Sequence, residues 1–261
     1  MLPPGIDTLP AFAHGIDPVL FCEDRLRFYS GQSFIPDPWQ ARLLRSNAAN
    51  IILNVGRQCG KSTVVASLAV HSALYQPGSL AILISPSLRQ SAELMLKCRE
   101  FLHALGQSIA LPEDNKLSAT LANQSRIIAL PGDNPRTIRG FSSPSLVIED
   151  EAGFVKDETH TAVIPMLAAS ANGRMVLMST PWLMMGHFYE IWTNGETWER
   201  YEVPTSQCPR VRPEWLAERK RADPVSYARE YECQFASADE GLFTEAMLRR
   251  MEVDDFELAE L

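Results

Sequence analysis

The stretch Ile51–Thr63, reading IILNVGRQCGKST, constrains this chain more than any other. Ile51, Ile52, Leu53 and Val55 make a short apolar run of the kind a buried strand shows. Gly56, Arg57, Gln58, Cys59 and Gly60 follow as a turn. Lys61, Ser62 and Thr63 then open a helix that continues through Val64, Val65, Ala66, Leu68 and Ala69. Strand, glycine loop and Lys-Ser at a helix start is the setting of a phosphate-binding P-loop. Glycine lets backbone N–H groups turn inward, and these groups together with the positive helix end hold phosphate. Residues 56–63 are therefore expected to bind a nucleotide, with Lys61 neutralising β/γ oxygens and the Ser62 hydroxyl ligating Mg²⁺. The spacing departs from G-x-x-x-x-G-K-[ST], because the first glycine position holds Val55 and the glycine comes one residue later, at Gly56. On the loop alone, a glycine-rich turn with a solvated lysine stays open. Arg57 adds a second cation whose guanidinium suits bidentate phosphate contact.

Further along, Leu80–Ile84, Leu146–Ile148 and Met175–Met178 read as buried strands, with helices expected from Ser87 to about Leu105 and from about Thr159 to Ser170. Leu117–Leu121 and Ile127–Leu130 flank a polar turn and read as a hairpin. Apolar strands alternating with helices predict an α/β fold with a mostly parallel sheet covered on both faces. Ligands of such sheets sit at the carboxyl ends of the strands. The P-loop, Asp150-Glu151 and Ser179-Thr180 all fall at such ends. Residues 1–37 are rich in Pro, Gly and Asp, with one amphipathic piece at Phe21–Phe28, and read as an irregular arm. Residues 38–204 read as the core, beginning at Pro38-Trp39-Gln40 with a helix. Residues 205–261 read as a helical lid or linker without a further strand, with helices at 213–221, 223–235 and Phe243–Met251 and an acidic end at Glu252, Asp254, Asp255, Glu257 and Glu260.

Phosphoryl transfer to water needs a metal, a water-positioning base and cations for the developing charge. Asp150 fits as the Mg²⁺ partner of Ser62, and Glu151 as the residue that polarises the attacking water. Glu149 stands where an apolar residue is usual, so Glu149/Asp150 is an alternative register; Ala152 directly after Glu151 favours Asp150/Glu151. Arg139, in the loop before that strand, is an arginine-finger candidate acting in its own subunit or a neighbour's, with Arg136 as the second choice. The hydroxyls of Ser179 and Thr180 either sense a terminal phosphate or form a turn before Pro181. Gln40 offers a donor and an acceptor that match an adenine edge, or is a surface glutamine on a helix.

The balance of 24 basic against 32 acidic residues gives a net charge of −8, unlike a protein that merely coats nucleic acid. Nucleic-acid contact is then local, transient or supplied by another subunit or domain. The five cysteines are scattered without a CxxC pair, which suggests neither a zinc site nor a disulfide framework and points to a reducing compartment. The five histidines lack metal-ligand spacing and read as structural. No apolar run reaches transmembrane length, so no membrane is expected as a partner.

Taken together, PWQ, GRQCGKST, SPS-x-x-Q, TIRG, hydrophobic-EDEA and STP resemble the ATPase domain of the large terminase subunit of tailed double-stranded DNA phages. The resemblance covers about Trp39 to Phe243 and includes Tyr227-x-x-Glu230-Tyr231-x-Cys233-x-Phe235 and Gly241-Leu242-Phe243. The GRQxGKS loop is that family's habitual variant and accounts for the late glycine. The resemblance implies a P-loop NTPase of the additional-strand, catalytic-glutamate type. It further implies ATP and Mg²⁺ as cofactors, and hydrolysis that drives viral DNA into a procapsid. By it, Lys61 and Arg57 hold phosphate, Ser62 and Asp150 hold Mg²⁺, and Glu151 activates water. Arg139 acts on a neighbour's nucleotide, Gln40 reads adenine, and Ser179-Thr180 couple hydrolysis to movement. The partners implied are double-stranded DNA, the portal protein, the small terminase subunit and further copies in a ring. The implied location is the host cytoplasm, transiently on the procapsid and not in the virion. Full-length members continue into a nuclease domain; the chain stops where that domain is expected, so no nuclease activity is expected from it, and a piece of a longer protein is favoured over a naturally short one. The alternatives are a helicase-like remodelling ATPase and a non-catalytic nucleotide-binding assembly module.

Overall fold

The computed structural model describes residues 8–106 and 113–236. Its first part departs from the irregular arm that composition suggests. Helices α1 (Thr8–Ile16) and α2 (Pro18–Arg25) occupy that stretch. The Asp and Pro that read as loop punctuation are helix-start chemistry instead. The Asp17 carboxylate accepts from the Val19 amide at 3.0 Å, and Pro18 stands in the first turn where its missing N–H costs nothing. Val19, Phe21 and Cys22 of α2 join the main core, so the arm belongs to it.

Helix α3 (Pro38–Arg45) leads into strand β1 (Asn50–Val55), the P-loop and helix α4 (Lys61–Tyr75). Strand β2 (Leu80–Ser85) and helix α5 (Leu88–Ala104) follow, with Ser87 capping α5. The expected hairpin is present as β4 (Ser118–Thr120) and β5 (Arg126–Pro131), preceded by β3 (Glu113–Asn115). A single turn, α6 (Pro135–Ile138), precedes strand β6 (Leu146–Asp150); helix α7 (Asp157–Ala168), strand β7 (Arg174–Ser179) and helix α8 (Gly186–Asn194) complete the alternation. The polar texture after Glu199 hides a further strand: Glu199–Val203 forms β8 and pairs in parallel with β1. An edge strand needs one buried face only; Tyr201 and Val203 supply it, while Glu202 faces outward. Helices α9 (Pro213–Ala222) and α10 (Pro224–Tyr231) lie close to expectation, although α10 ends before residue 235. The helix expected at Phe243–Met251 and the acidic end lie outside the described residues.

The sheet runs β3-β4-β5-β2-β6-β7-β1-β8, with the six strands from β5 to β8 parallel and β3 and β4 antiparallel at one edge. Strand β7 stands between β6 and β1. The carboxyl ends of all three therefore open onto the same rim, and this brings Glu151, Ser179 and the P-loop together. Successive β1 residues feed opposite cores: Ile51, Leu53 and Val55 pack with α2, α3, α4 and α5, whereas Ile52 packs with Val163 of α7 and Phe188 of α8. Burying each such side chain contributes about 1.5–3 kcal/mol. Among the described residues, no helix is long and apolar enough to cross a membrane.

Candidate active site

Two glycines shape the loop. Gly60 has φ 80°, a left-handed conformation open to glycine at the N-cap of α4, and a Cβ there would lie 2.9 Å from Gln40 Nε2. Gly56 answers a different need: a Cβ would lie 3.0 Å from the Thr205 amide nitrogen. The late glycine therefore sits where the turn after β8 closes on the loop, and Val55 stays in the strand. Gln58, at φ 63°, completes the inward curl. The loop residues 57–63, with Gln90 and Lys97 of α5 and with Glu151, Phe154 and Thr180, enclose a cavity of about 540 Å³.

Lys61 is buried and reaches across this cavity. Its Nζ donates to the Val55 carbonyl at 3.3 Å and lies 3.4 Å from Glu151 Oε1. Glu151 follows β6 at φ 51°, a left-handed conformation that is costly for a side-chain-bearing residue and concentrates at functional sites. That twist turns its carboxylate back over the strand ends, where Ser179 Oγ and Thr180 Oγ1 each donate to Oε2 at 3.3 Å. Asp150 is buried, and its Oδ1 has no hydrogen-bond partner among the described residues. Burial first, and then the neighbouring Glu151 charge, push its carboxyl up to about 7, while Lys61 acts the other way. An orphaned buried carboxylate oxygen at a P-loop rim is what a divalent cation would satisfy, and such an ion would reverse that shift. The residues present fit Mg²⁺, and Asp150 and Ser62 would be its protein ligands.

Two expected roles meet different partners. Gln40 is expected to read adenine, but its amide is spent within the protein. Nε2 donates to the carbonyls of Cys59 at 3.4 Å and Gly60 at 3.2 Å, and Oε1 accepts from the Asp37 amide at 2.8 Å. At 1 % exposure it is a brace under the loop, and no edge is left for a base. Arg57 lines the cavity, yet its guanidinium is bonded to Glu230 of α10, and its amide donates to the Glu230 carbonyl. Arg139 is exposed, lies outside the residues lining the cavity, and makes no hydrogen bond or ion pair among the described residues. Arg136 is also exposed.

The structure adds residues that the sequence does not single out. Arg210 grips Asp37 with both terminal nitrogens, at 2.8 and 2.6 Å, and also donates to the Cys59 carbonyl at 3.2 Å. Cys59 and Cys208, 149 residues apart, are joined by a disulfide. This corrects the expectation of no disulfide: the turn after β8 brings the two together, and sequence spacing carries no trace of that return.

Glu149 is the first acid of its run and faces away from the cavity. Its Oε1 accepts from His160 Nδ1 at 3.1 Å and its Oε2 from His187 Nε2 at 3.0 Å; His187 Nδ1 donates onward to Asp157 at 2.8 Å. Glu149 is thus taken up by the other core, and the acid of the run that lines the cavity is Glu151. Two histidines and a carboxylate within 4.8 Å invite a metal reading. The ring geometry opposes it: the imidazoles stack at 4.3 Å with 14° between their planes. A metal bonds in the plane of each ring, and two stacked planes do not converge on one ion.

Burial alone would raise the Glu149 carboxyl, but the two imidazole bonds hold it below the usual range; burial likewise opposes the His187 charge, and the flanking carboxylates raise it on balance. His187→Ala leaves Glu149 short of a partner and is expected to lower stability by about 3–5 kcal/mol, read by urea or thermal unfolding. Because the folded His187 value is raised, its contribution is complete below about pH 6.5 and fades as pH rises through the folded value. His187→Asn should lack that alkaline loss; an identical pH dependence would place the charge elsewhere.

A family model described as terminase large subunit, T4likevirus-type, N-terminal, matches residues 52–250. The terminase large subunit of Thermus phage G20c is 23% identical over 257 residues, covering 84% of this chain and 52% of its own. This chain thus spans about half the length of the curated relatives it matches. Among solved structures, the large terminase ATPase domain of Thermus phage P74-26 superposes with a TM-score of 0.69 at 22% identity, covering 78% of this chain and 95% of its own. The large terminase of the bacteriophage HK97 gives a TM-score of 0.72 at 18% identity, covering 85% of this chain and 55% of its own. With a P-loop, an inserted strand and an acidic pair meeting at one rim, and a family model spanning most of its length, this chain belongs to the terminase large-subunit family.

Proposed function

We propose that this chain binds ATP with Mg²⁺ at the P-loop rim, hydrolyses it, and uses the cycle to move double-stranded DNA into a viral procapsid. The observation that carries the reading is Lys61 facing Glu151 across 3.4 Å at the mouth of the loop, beside the orphaned Asp150 oxygen. A terminal phosphate entering there separates the pair: Lys61 turns to phosphate oxygens, and Glu151 is freed to accept a proton from water. Asp150 and Ser62 would hold Mg²⁺, which would supply charge neutralisation for the phosphates. The hydroxyls of Ser179 and Thr180, now on Glu151, lie at the end of β7 and the start of its connection to α8. A change at the acid therefore reaches that connection directly. A large terminase from a thermophilic bacteriophage was solved in complex with ADP, which supports the nucleotide assignment by analogy.

The DNA, portal, small-subunit and ring partners, and a site of action in the host cytoplasm on the procapsid, follow from family membership and complete the proposal. The family match favours the packaging motor over a helicase-like remodeller. Phosphate release measured with and without Mg²⁺ and linear double-stranded DNA tests the reading. Mg²⁺-dependent turnover that DNA stimulates is expected. Nucleotide binding without any turnover, at high protein concentration and with DNA, would instead favour an assembly module.

A further inference from the structure

Three cationic side chains line the cavity: Arg57, Lys61 and Lys97. Two of them already face carboxylates, Arg57 on Glu230 and Lys61 on Glu151. Lys97 makes no hydrogen bond or ion pair among the described residues. It is half-buried rather than a free surface lysine. Its neighbours on α5 fix where it stands: Leu94, Cys98 and Phe101 are core residues, and Cys98 Sγ lies 4.0 Å from the Ala66 carbonyl of α4. The backbone of α5 is thereby pinned against the first turns of α4, which carry Lys61, Ser62 and Thr63.

Lys97 therefore brings charge to the acidic pair from the β2–α5 side, while the loop cations approach from β1. A half-buried ammonium loses hydration and gains nothing unless something negative occupies the cavity. The acidic side chain that lines the cavity with it, Glu151, is already held by Lys61, Ser179 and Thr180. A nucleoside triphosphate brings the missing anion, and its terminal phosphoryl group is the part that extends past Lys61 toward Glu151.

We propose that Lys97, on α5, contacts the terminal phosphate of the bound nucleotide. The proposal rests on the nucleotide reading above and deepens it, making α5 part of the triphosphate sensor. It concerns binding; no covalent step is assigned to Lys97.

The test is calorimetric titration of the 261-residue chain with ATPγS and with ADP, each with Mg²⁺. Lys97→Met is expected to weaken ATPγS binding by roughly 10- to 100-fold, the worth of a charge-assisted bond, and to leave ADP affinity unchanged. Lys97→Arg, which keeps the charge, should restore most of the ATPγS affinity. Retained ADP binding also shows that the variant is folded. Equal weakening of both nucleotides would mean a diffuse electrostatic effect, and no weakening of either would mean a lysine without a phosphate; each outcome overturns the contact while sparing the nucleotide site. If the parent chain binds neither nucleotide, the underlying site assignment fails, and the contact with it.

Discussion

Glu151→Gln will keep nucleotide binding and lower ATP turnover by roughly 10²- to 10⁴-fold, the usual contribution of a positioned general base. The substitution is nearly isosteric. The Gln oxygen still accepts from Ser179 and Thr180, so the β6–β7 rim keeps its shape. What disappears is the negative charge, and with it the ability to take a proton from water. Lys61 loses its carboxylate partner at 3.4 Å, so affinity for the triphosphate should hold or rise. Phosphate release and ATPγS binding, measured side by side, check both halves. Parent-like turnover would remove Glu151 from its role, and loss of binding would show that the acid shapes the pocket instead.

Arg139→Ala should produce a loss of similar or greater size, because a finger arginine contributes roughly 10³ to 10⁵ in rate. Here the tertiary structure narrows the prediction. Arg139 is exposed at the end of α6 and does not line the cavity of its own chain, while Arg57, Lys61 and Lys97 do. If it acts as a finger, it acts on a neighbour. Mixing an Arg139→Ala chain with a Glu151→Gln chain should then restore part of the lost turnover, since one interface keeps an intact acid and an intact arginine. The parent chain's specific activity should also rise with protein concentration. Turnover independent of concentration and unrescued by mixing would assign Arg139 to its own subunit or to no catalytic part.

The candidate site is legible where its chemistry is local. Strand β1, the loop and the start of α4 are contiguous, so glycine, lysine and serine at a strand-to-helix turn can be read as a phosphate-loop candidate without the fold. Asp150-Glu151 and Ser179-Thr180 can be named because each directly follows an apolar run whose carboxyl end must lie at the same rim. Gln40 can be found but not assigned. Its sequence position is compatible with a base reader, and only the approach of the Cys59 and Gly60 carbonyls shows that its amide is already occupied. Lys97 escapes notice because a lysine on a long amphipathic helix looks like any solvated charge. Its orientation toward the cavity depends on how α5 packs against α4.

The N-terminal helices and β8 are hidden for a related reason. Asp17-Pro18 begins a helix or a turn with equal ease, and the choice is made by Val19, Phe21 and Cys22 finding a core to enter. Strand β8 carries half the apolar pattern of a central strand because its outer edge meets no other strand among the described residues. Long-range pairs such as Arg57 with Glu230, Arg210 with Asp37, and Cys59 with Cys208 leave no spacing signature at all.

The amino-acid order alone determined the α/β alternation, the phosphate loop and the acids that face it, because those features are written in short-range periodicity and turn chemistry. Which cations are free, which acid is turned away into the histidine pair, and which arginine must look outward were decided only when the chain closed on itself. Those properties belong to partners brought together across long stretches of chain, and electrostatics depends on what lies within a few ångströms in space, whatever the separation in sequence.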